Sequence, residues 1–283
     1  MKKIFSIVFI SVFIFLAIPN PVFGADRQKA IMLKEQGNKA MTAGDDKKAV
    51  DLYIKSIKAD PSYANSYNNI GMILDKKGDK EKALKYYEKA IKLDKTLFQP
   101  VLNTAFIYFD KGDYKQARKY CDQAMKLNPS DSDCISLNGQ LLENSGNPQA
   151  AAEYYKKSVE ADPNNYKSNF LLGTYYFNQR MYESALKYLR KAVNLKPDDS
   201  GSLFNLAQSE KMTGNFDSAE KHFLAYLKKR PDDIEGLFNI GQVKIKAGKN
   251  REAVPYFKKF LELAPKDDKR VPMLRSFLGQ TGA

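Results

Sequence analysis

Large and small side chains return along this chain in a fixed phase, and the phase predicts its elements. Alanine stands at 49, 83, 117, 151, 185, 219 and 253, in steps of 34 residues. Proline stands at 61, 129, 163, 197, 231 and 265, with Lys95 in the one remaining slot. A small residue recurs at Gly37, Gly71, Ala105, Gly139, Gly173, Ala207 and Gly241. A second glycine series runs through Gly44, Gly78, Gly112, Gly146, Gly214 and Gly248, and Arg180 replaces it once. Between these markers the apolar residues are spaced as on one face of a helix and do not alternate. Seven units of 34 residues therefore run without insertion from Ala30 to Asp267, each predicting a helix A and a helix B. The glycine between them can take the left-handed conformation that ends a helix. Asp45, Asp79, Asp113, Asn147 and Asn215 follow it and can cap the first amides of helix B. Pro148 then falls in a first turn, where a missing N–H costs nothing. One helix pair cannot bury its apolar face alone, so the pairs must stack and the stack must be closed. Asp268 to Gly279, with Pro272, Leu274, Phe277 and Leu278, is the candidate closing helix.

A 34-residue period with these residues resembles the tetratricopeptide-repeat family, and the resemblance covers nearly all of the chain after the N-terminal segment. The second repeat carries it in Tyr67, Ile70, Gly71, Leu74, Ala83, Tyr87 and Ala90, and the fifth in Leu172, Gly173, Tyr176, Ala185, Leu189, Ala192 and Pro197. Departures are local. Tryptophan is absent at repeat position 4, Gln36 and Asn138 stand at position 7, and Glu210 and Lys244 at position 11. Tyr226 and Phe260 replace a small residue at position 27. The resemblance implies an all-α fold: a right-handed α-solenoid, or superhelix, of seven helix-turn-helix tetratricopeptide repeats with a C-terminal capping helix. The repeats would occupy 30–63, 64–97, 98–131, 132–165, 166–199, 200–233 and 234–267, and the capping helix and tail 268–283.

In such a family the A helices line a concave groove, and positions 2, 5, 6, 9, 12 and 13 face the ligand. Here position 6 is Asn69, Asn103, Asn205 and Asn239, with Leu137 and Leu171 between. A side-chain amide can pair both groups of an extended peptide backbone, so these resemble the asparagine ladder of some family members; solvated amides would look the same. Phe170, Phe204 and Phe238 occupy position 5, and Phe106, Phe109 and Phe177 positions 9 and 12. They form an interaction stripe if exposed, or pack between helices if not. Lys34, Asn38 and Asn69 match part of the two-carboxylate clamp of chaperone-binding members. Gln99 and Asn103 stand where its last two bases should be, which removes two charge-assisted contacts.

The N-terminus adds an address. Lys2 and Lys3 precede an apolar run from Ile4 to Ile18, then Pro19, Asn20 and Pro21 are expected to break any helix, and Val22-Phe23-Gly24 forms a cleavage motif before Ala25. This is the layout of a secretory signal peptide over 1–24, with an uncleaved inner-membrane anchor as the alternative. The run is short for a bilayer span. Export to a periplasm is the expectation. The formal charge is +13, and loss of Lys2 and Lys3 would leave +11. Such a charge suits an acidic protein, an anionic surface or a nucleic acid; export argues against the last. The lysine-rich runs fall mainly on B helices and read as a solvated face.

Chemistry is sparse. One histidine, His222, expected at the surface, excludes His-based triads and multi-His metal sites. The glycines follow the repeat and make no phosphate loop. Asp198-Asp199 and Asp232-Asp233 fall where they can cap the next A helix. Cys121 and Cys134 read as two small buried side chains; export permits a disulfide without showing one. No catalytic, cofactor or metal residues are assigned. The expectation is a non-enzymatic scaffold or chaperone-like adaptor of a bacterial-type cell envelope, holding a protein or extended peptide segment in the groove. A non-catalytic subunit of an envelope enzyme or assembly complex is the alternative, and a basic nucleic-acid or polyanion binder a weaker one. No small-molecule substrate is expected, and membrane contact only through an uncleaved signal or surface charge.

Overall fold

A computed structural model describes residues 21–281, and they fold into fifteen α-helices joined by short turns. The run Ile4 to Ile18 lies outside the described residues. Helix α1 spans Pro21–Thr42 and α2 Asp46–Ala59; α3 is Ala64–Lys76 and α4 Lys80–Leu93; α5 is Phe98–Asp110 and α6 Tyr114–Leu127. Then come α7 (Ser132–Asn144), α8 (Pro148–Ala161), α9 (Tyr166–Asn178), α10 (Tyr182–Leu195), α11 (Ser200–Met212) and α12 (Phe216–Lys229). The last three are α13 (Ile234–Lys246), α14 (Asn250–Leu263) and α15 (Val271–Thr281). Pro21 starts α1 instead of breaking it, since the first helical position needs no N–H.

The turns show why the phase works. Gly44, Gly78, Gly112, Gly146, Gly214 and Gly248 all have φ between +75° and +83°. In each, the amide after the glycine closes on a carbonyl five residues back, as Asp79 N does on Leu74 O at 2.9 Å, the bond that seals a helix with a left-handed end. Arg180 takes the same conformation at φ 59° without being a glycine. Asp45, Asp79, Asp113 and Asn147 accept from the third amide of the following helix at 2.9–3.2 Å. Asn215 does not: its amide donates to Thr213 Oγ1 at 2.8 Å, and α12 has no side-chain cap. Asp199 and Asp233 cap α11 and α13, while Asp198 and Asp232 pair with Lys229 and Lys259.

Contacts between α-carbons divide the chain into two units, residues 1–100 and 101–283. In the first, α1 packs on α2, α3 on α4, and α2 on α3. Gly71 of α3 lies under the Tyr87 ring, which a Cβ there would meet at 2.6 Å; the small residue exists so that helix B can seat a large ring. Arg27, before the first repeat, donates to Ser62 at 3.0 Å, pairs with Asp60 and covers the Tyr63 ring at 5.1 Å. It pins the start of α1 to the α2–α3 turn.

In the second unit α7 pairs with α8, α9 with α10, α11 with α12 and α13 with α14, and each B helix also packs on the next A helix. The odd-numbered helices α7, α9, α11 and α13 touch one another in sequence. Among the described residues no comparable contact joins α8, α10, α12 and α14. The odd row of this unit is therefore the tighter, inner one. A large core cluster lies at its end, where Phe223, Tyr226, Phe257 and Phe260 are buried together with Val271, Leu274 and Leu278 of α15. Burial of the apolar side chains of α15 in this cluster, worth about 25 cal/mol per Å² of apolar surface, is what holds the helix in place.

Candidate functional site

The odd row presents the residues expected to meet a ligand, and the structure sorts them by what they touch. In the first unit Asn69 Nδ2 donates to Asn38 Oδ1 at 2.8 Å, and Tyr53 Oη donates to the same oxygen at 2.9 Å. The two amides thus tie α3 to α1. Lys34 is partly buried beside Glu35 and pairs with it. Burial works against its ammonium, but the hydrogen bond and charge of Glu35 outweigh that and hold its pKa above the ordinary lysine value.

The second unit uses the same device. Asn205 Nδ2 donates to Thr174 Oγ1 at 2.9 Å, from α11 to α9. Asn239 is buried, donates to Glu235 O at 2.8 Å, and accepts from Lys211 Nζ. Asn103 is half-buried on α5. The position-6 amides that show their partners therefore fasten one A helix to the one before. Asn205 is half-buried.

The aromatics divide likewise. Phe204 packs against Phe223 and Tyr226 with ring centres 5.8 and 5.0 Å away, and Phe238 against Phe257 and Phe260 at 6.3 and 5.8 Å. Arg270 covers both Phe238 and Phe260, at 4.9 and 4.7 Å. These two phenylalanines are half-buried and pack against the core cluster. Phe170 stacks on Tyr166 at 6.2 Å, Phe177 leans on Tyr182 at 5.8 Å, and Phe109 stands edge-on to Tyr114 at 5.5 Å; all three are half-buried, and Phe170 and Phe177 also lean on the core around Leu189 and Leu206. Phe106 carries the Lys167 ammonium 4.8 Å above its ring. Burial lowers the Lys167 pKa, and Asp110 and Asp133 oppose the shift.

Two charged clusters were not foreseen. Glu210 is buried and bonds His222 Nδ1 at 2.7 Å, with Arg190 at 3.9 Å. His222 is thus a partly buried partner and not a surface residue. Lys244 is buried between Glu220 and Glu252, each at 2.7 Å. Burial disfavours its ammonium, yet the two carboxylates hold its pKa above the usual value. Both clusters sit where the repeat wants an apolar side chain, and each polar intruder has brought its own partners. The readable signal was a charge at repeat position 11; its partners lie on other helices and other repeat positions.

Cys121 and Cys134 are free, fully buried thiols, each Sγ 3.9 Å from the other's carbonyl oxygen. Hydrogen bonding to Cys121 and burial push the Cys134 thiol far above its ordinary range, so it is not a ready nucleophile. Among the described residues no group of three or more His, Cys, Asp and Glu side chains could hold a metal ion.

Models of the tetratricopeptide repeat match residues 64–97, 108–168 and 234–267. The chain is a tetratricopeptide-repeat protein. A model described as anaphase-promoting complex, cyclosome, subunit 3 matches residues 144–226 of the same repeat array. No curated protein matches. Among solved structures, PilF of Pseudomonas aeruginosa is 17% identical over 78% of this tetratricopeptide-repeat chain and 99% of its own, with a TM-score of 0.68. PilW, a widely conserved type IV pilus biogenesis factor, is 20% identical over 75% of this chain and 98% of its own, with a TM-score of 0.59. The Cut9–Hcn1 hetero-tetramer of the APC/C is 17% identical over 79% of this chain but only 46% of that one, at 0.67. These likenesses show the fold. No described helix of this tetratricopeptide-repeat protein is long and apolar enough to cross a membrane.

Proposed function

We propose that this protein is a non-enzymatic interaction scaffold or chaperone-like adaptor of a bacterial-type cell envelope, holding an extended protein segment along the inner row of A helices. The observation that carries the reading is the makeup of the odd row in the second unit. Its groups are mainly amides, aromatic rings and lysines, and among the described residues its exposed acids, Asp133, Glu143 and Glu235, are not drawn together with a base and a nucleophile. Such a surface can pair a peptide backbone and cover apolar side chains, and it has nothing with which to break a bond. Phe106, Phe109, Phe170, Phe177, Asn103 and Asn205 are the contacts favoured in the second unit, and Asn69 in the first. Phe204, Phe238 and Asn239 hold the wall in shape behind them. Family membership supports protein binding. The envelope setting rests on the N-terminal segment, whose cleavage before Ala25 would remove only the first turn of α1.

The test is crosslinking followed by affinity purification from the envelope fraction, comparing wild type with Asn178→Arg/Gln208→Arg. Asn178 lies one turn beyond Thr174 on α9, and Gln208 one turn beyond Asn205 on α11. Two long cations there should block a bound segment without touching the core. Loss of the recovered partners in the variant is expected; identical recovery would refute the inner-row reading. A wholly cytoplasmic protein on fractionation would refute the envelope setting.

A further inference from the structure

The odd row changes at its end. The A helices α7, α9, α11 and α13 touch in turn, but α15 packs on α14, and a cleft of about 330 Å³ remains between α15 and α13. Its floor is Phe257, its walls are Ile245, Met273 and Phe277, and its polar rim is Gln242 and Lys246. Met273 is 52% exposed and Ile245 36%, so the cleft is open and apolar.

Beside the rim stands Lys211 of α11. Its ammonium reaches two side-chain oxygens, Asn239 Oδ1 and Gln242 Oε1, the latter at 3.2 Å. No carboxylate bonds it. Burial lowers its pKa, the neighbouring Lys246 lowers it further, and Glu235 alone opposes the shift. Glu235 is itself held by Arg270 at 2.7 Å. One lysine, Lys246, therefore stands on the rim of an apolar cleft and a second, Lys211, is bonded to the rim residue Gln242, while the nearby Glu235 carboxylate is already paired. Two other lysines of this end contrast: buried Lys244 and half-buried Lys249 each bond two carboxylates. A cation left unneutralised against a desolvated wall is a cost to folding, and it is recovered when an anion arrives.

We propose that α11, α13 and α15 form a terminal subsite for a protein segment carrying a carboxylate next to a large apolar side chain. The carboxylate would bond Lys211 and Lys246, and the apolar side chain would fill the cleft between Ile245, Met273 and Phe277. Charge complementarity selects the anion, and the adjoining apolar walls select a peptide over an inorganic or nucleic-acid phosphate. The carboxylate can come from an Asp or Glu side chain or from a chain terminus. The inference rests on the inner-row reading and names the chemistry that its last subsite prefers.

The test uses a short synthetic random-peptide library in two forms, one with free C-termini and one amidated, bound to the full chain. Peptides recovered by wild type should carry a carboxylate within a residue or two of Leu, Ile, Met or Phe. Recovery from the amidated form identifies a side-chain carboxylate; recovery confined to the other form identifies the terminus. Lys211→Met and Lys246→Met should each weaken a recovered peptide about tenfold or more, the worth of one charge-assisted hydrogen bond. Lys246→Met should do so without lowering the melting temperature, because Lys246 is exposed and its loss unties no helix. Met273→Glu should weaken the same peptide. Recovered peptides without a carboxylate, or undiminished binding to both lysine variants, overturn the proposal. If such peptides instead lose affinity in Gln208→Arg, the inner-row reading stands while this one falls. If neither library form binds at all, both fall.

Discussion

Tyr226 and Gly236 are a matched exchange of volume, and their coupling can be measured. At the corresponding contacts elsewhere both partners are small: Ser158 Oγ lies beside Ser168 Oγ, and Ser56 Oγ beside Ser66 Oγ at 2.7 Å. At the α12–α13 contact a buried tyrosine takes one side and a glycine the other. A Cβ on Gly236 would stand 2.7 Å from Tyr226 Cε1, 3.0 Å from Cδ1 and 2.9 Å from Leu227 Cδ2. The leucine methyl can swing aside; the ring is held by Phe204, 5.0 Å away. Gly236→Ala should then cost about 1–3 kcal/mol of overpacking, set against up to about 1 kcal/mol of helix propensity gained, a net loss of roughly 1–2 kcal/mol. Tyr226→Ala should cost about 3–5 kcal/mol as a cavity. With the ring gone the clash is gone, so adding Gly236→Ala should now stabilise, by up to about 1 kcal/mol. The sign of one substitution thus reverses with its background, a coupling of about 2 kcal/mol. Urea unfolding by far-UV circular dichroism would measure it. Amide exchange in α12 and α13 would localise it, because a repeat array can open in parts. An alanine at 236 that acts with the same sign and size in both backgrounds would refute the reasoning.

Three further outcomes follow. Arg180→Gly should stabilise by about 1 kcal/mol, since a non-glycine residue is held at φ 59° where every other such turn uses glycine; a lower urea midpoint would contradict this. His222→Ala should destabilise by about 1–3 kcal/mol, because it leaves the buried Glu210 carboxylate with only Arg190 at 3.9 Å; an unchanged midpoint would show that carboxylate to be solvated. Asp268 is held down to about 2 by the Arg270 guanidinium and backbone N–H, and the hydrogen bonds of Lys244 and Lys249 lower Glu220. Groups whose folded pKa is depressed stabilise above their unfolded values and lose that contribution as pH falls. The α13–α15 end should therefore weaken between about pH 4.5 and pH 2, and Asp268→Asn should flatten part of that slope; a slope identical to wild type would contradict the assignment.

The helices were legible because side-chain size, turn glycine and cap residue all point to one period. Even Arg180 could be placed, since its neighbours fix the turn that it must adopt. What the period could not say is which way a ring turns once it reaches the wall. Phe204 and Phe238 share repeat position 5 with Phe170 and are half-buried like it, yet they pack on large rings behind them, Tyr226 and Phe260, that Phe170 lacks. The sign was present: a large residue at the usually small position 27 in just those two repeats, with Gly236 making room for one. The asparagines were misleading in a related way. An amide suited to a peptide backbone is equally suited to the next helix, and Asn69, Asn205 and Asn239 are used so. Glu210 and Lys244 were visible as intruders, but their partners lie on other helices, His222 and Glu252 within the same repeat and Arg190 and Glu220 in the one before, and only packing brings them together.

The central claim is that the odd-numbered helices of the second unit are the protein-binding wall. A photo-crosslinking residue at position 208, on α11, tests it against one at position 221, exposed on α12 of the even row. Irradiation in the cell should give a protein adduct from position 208 and little from position 221. Adducts formed equally at both positions, or from position 221 alone, would contradict it.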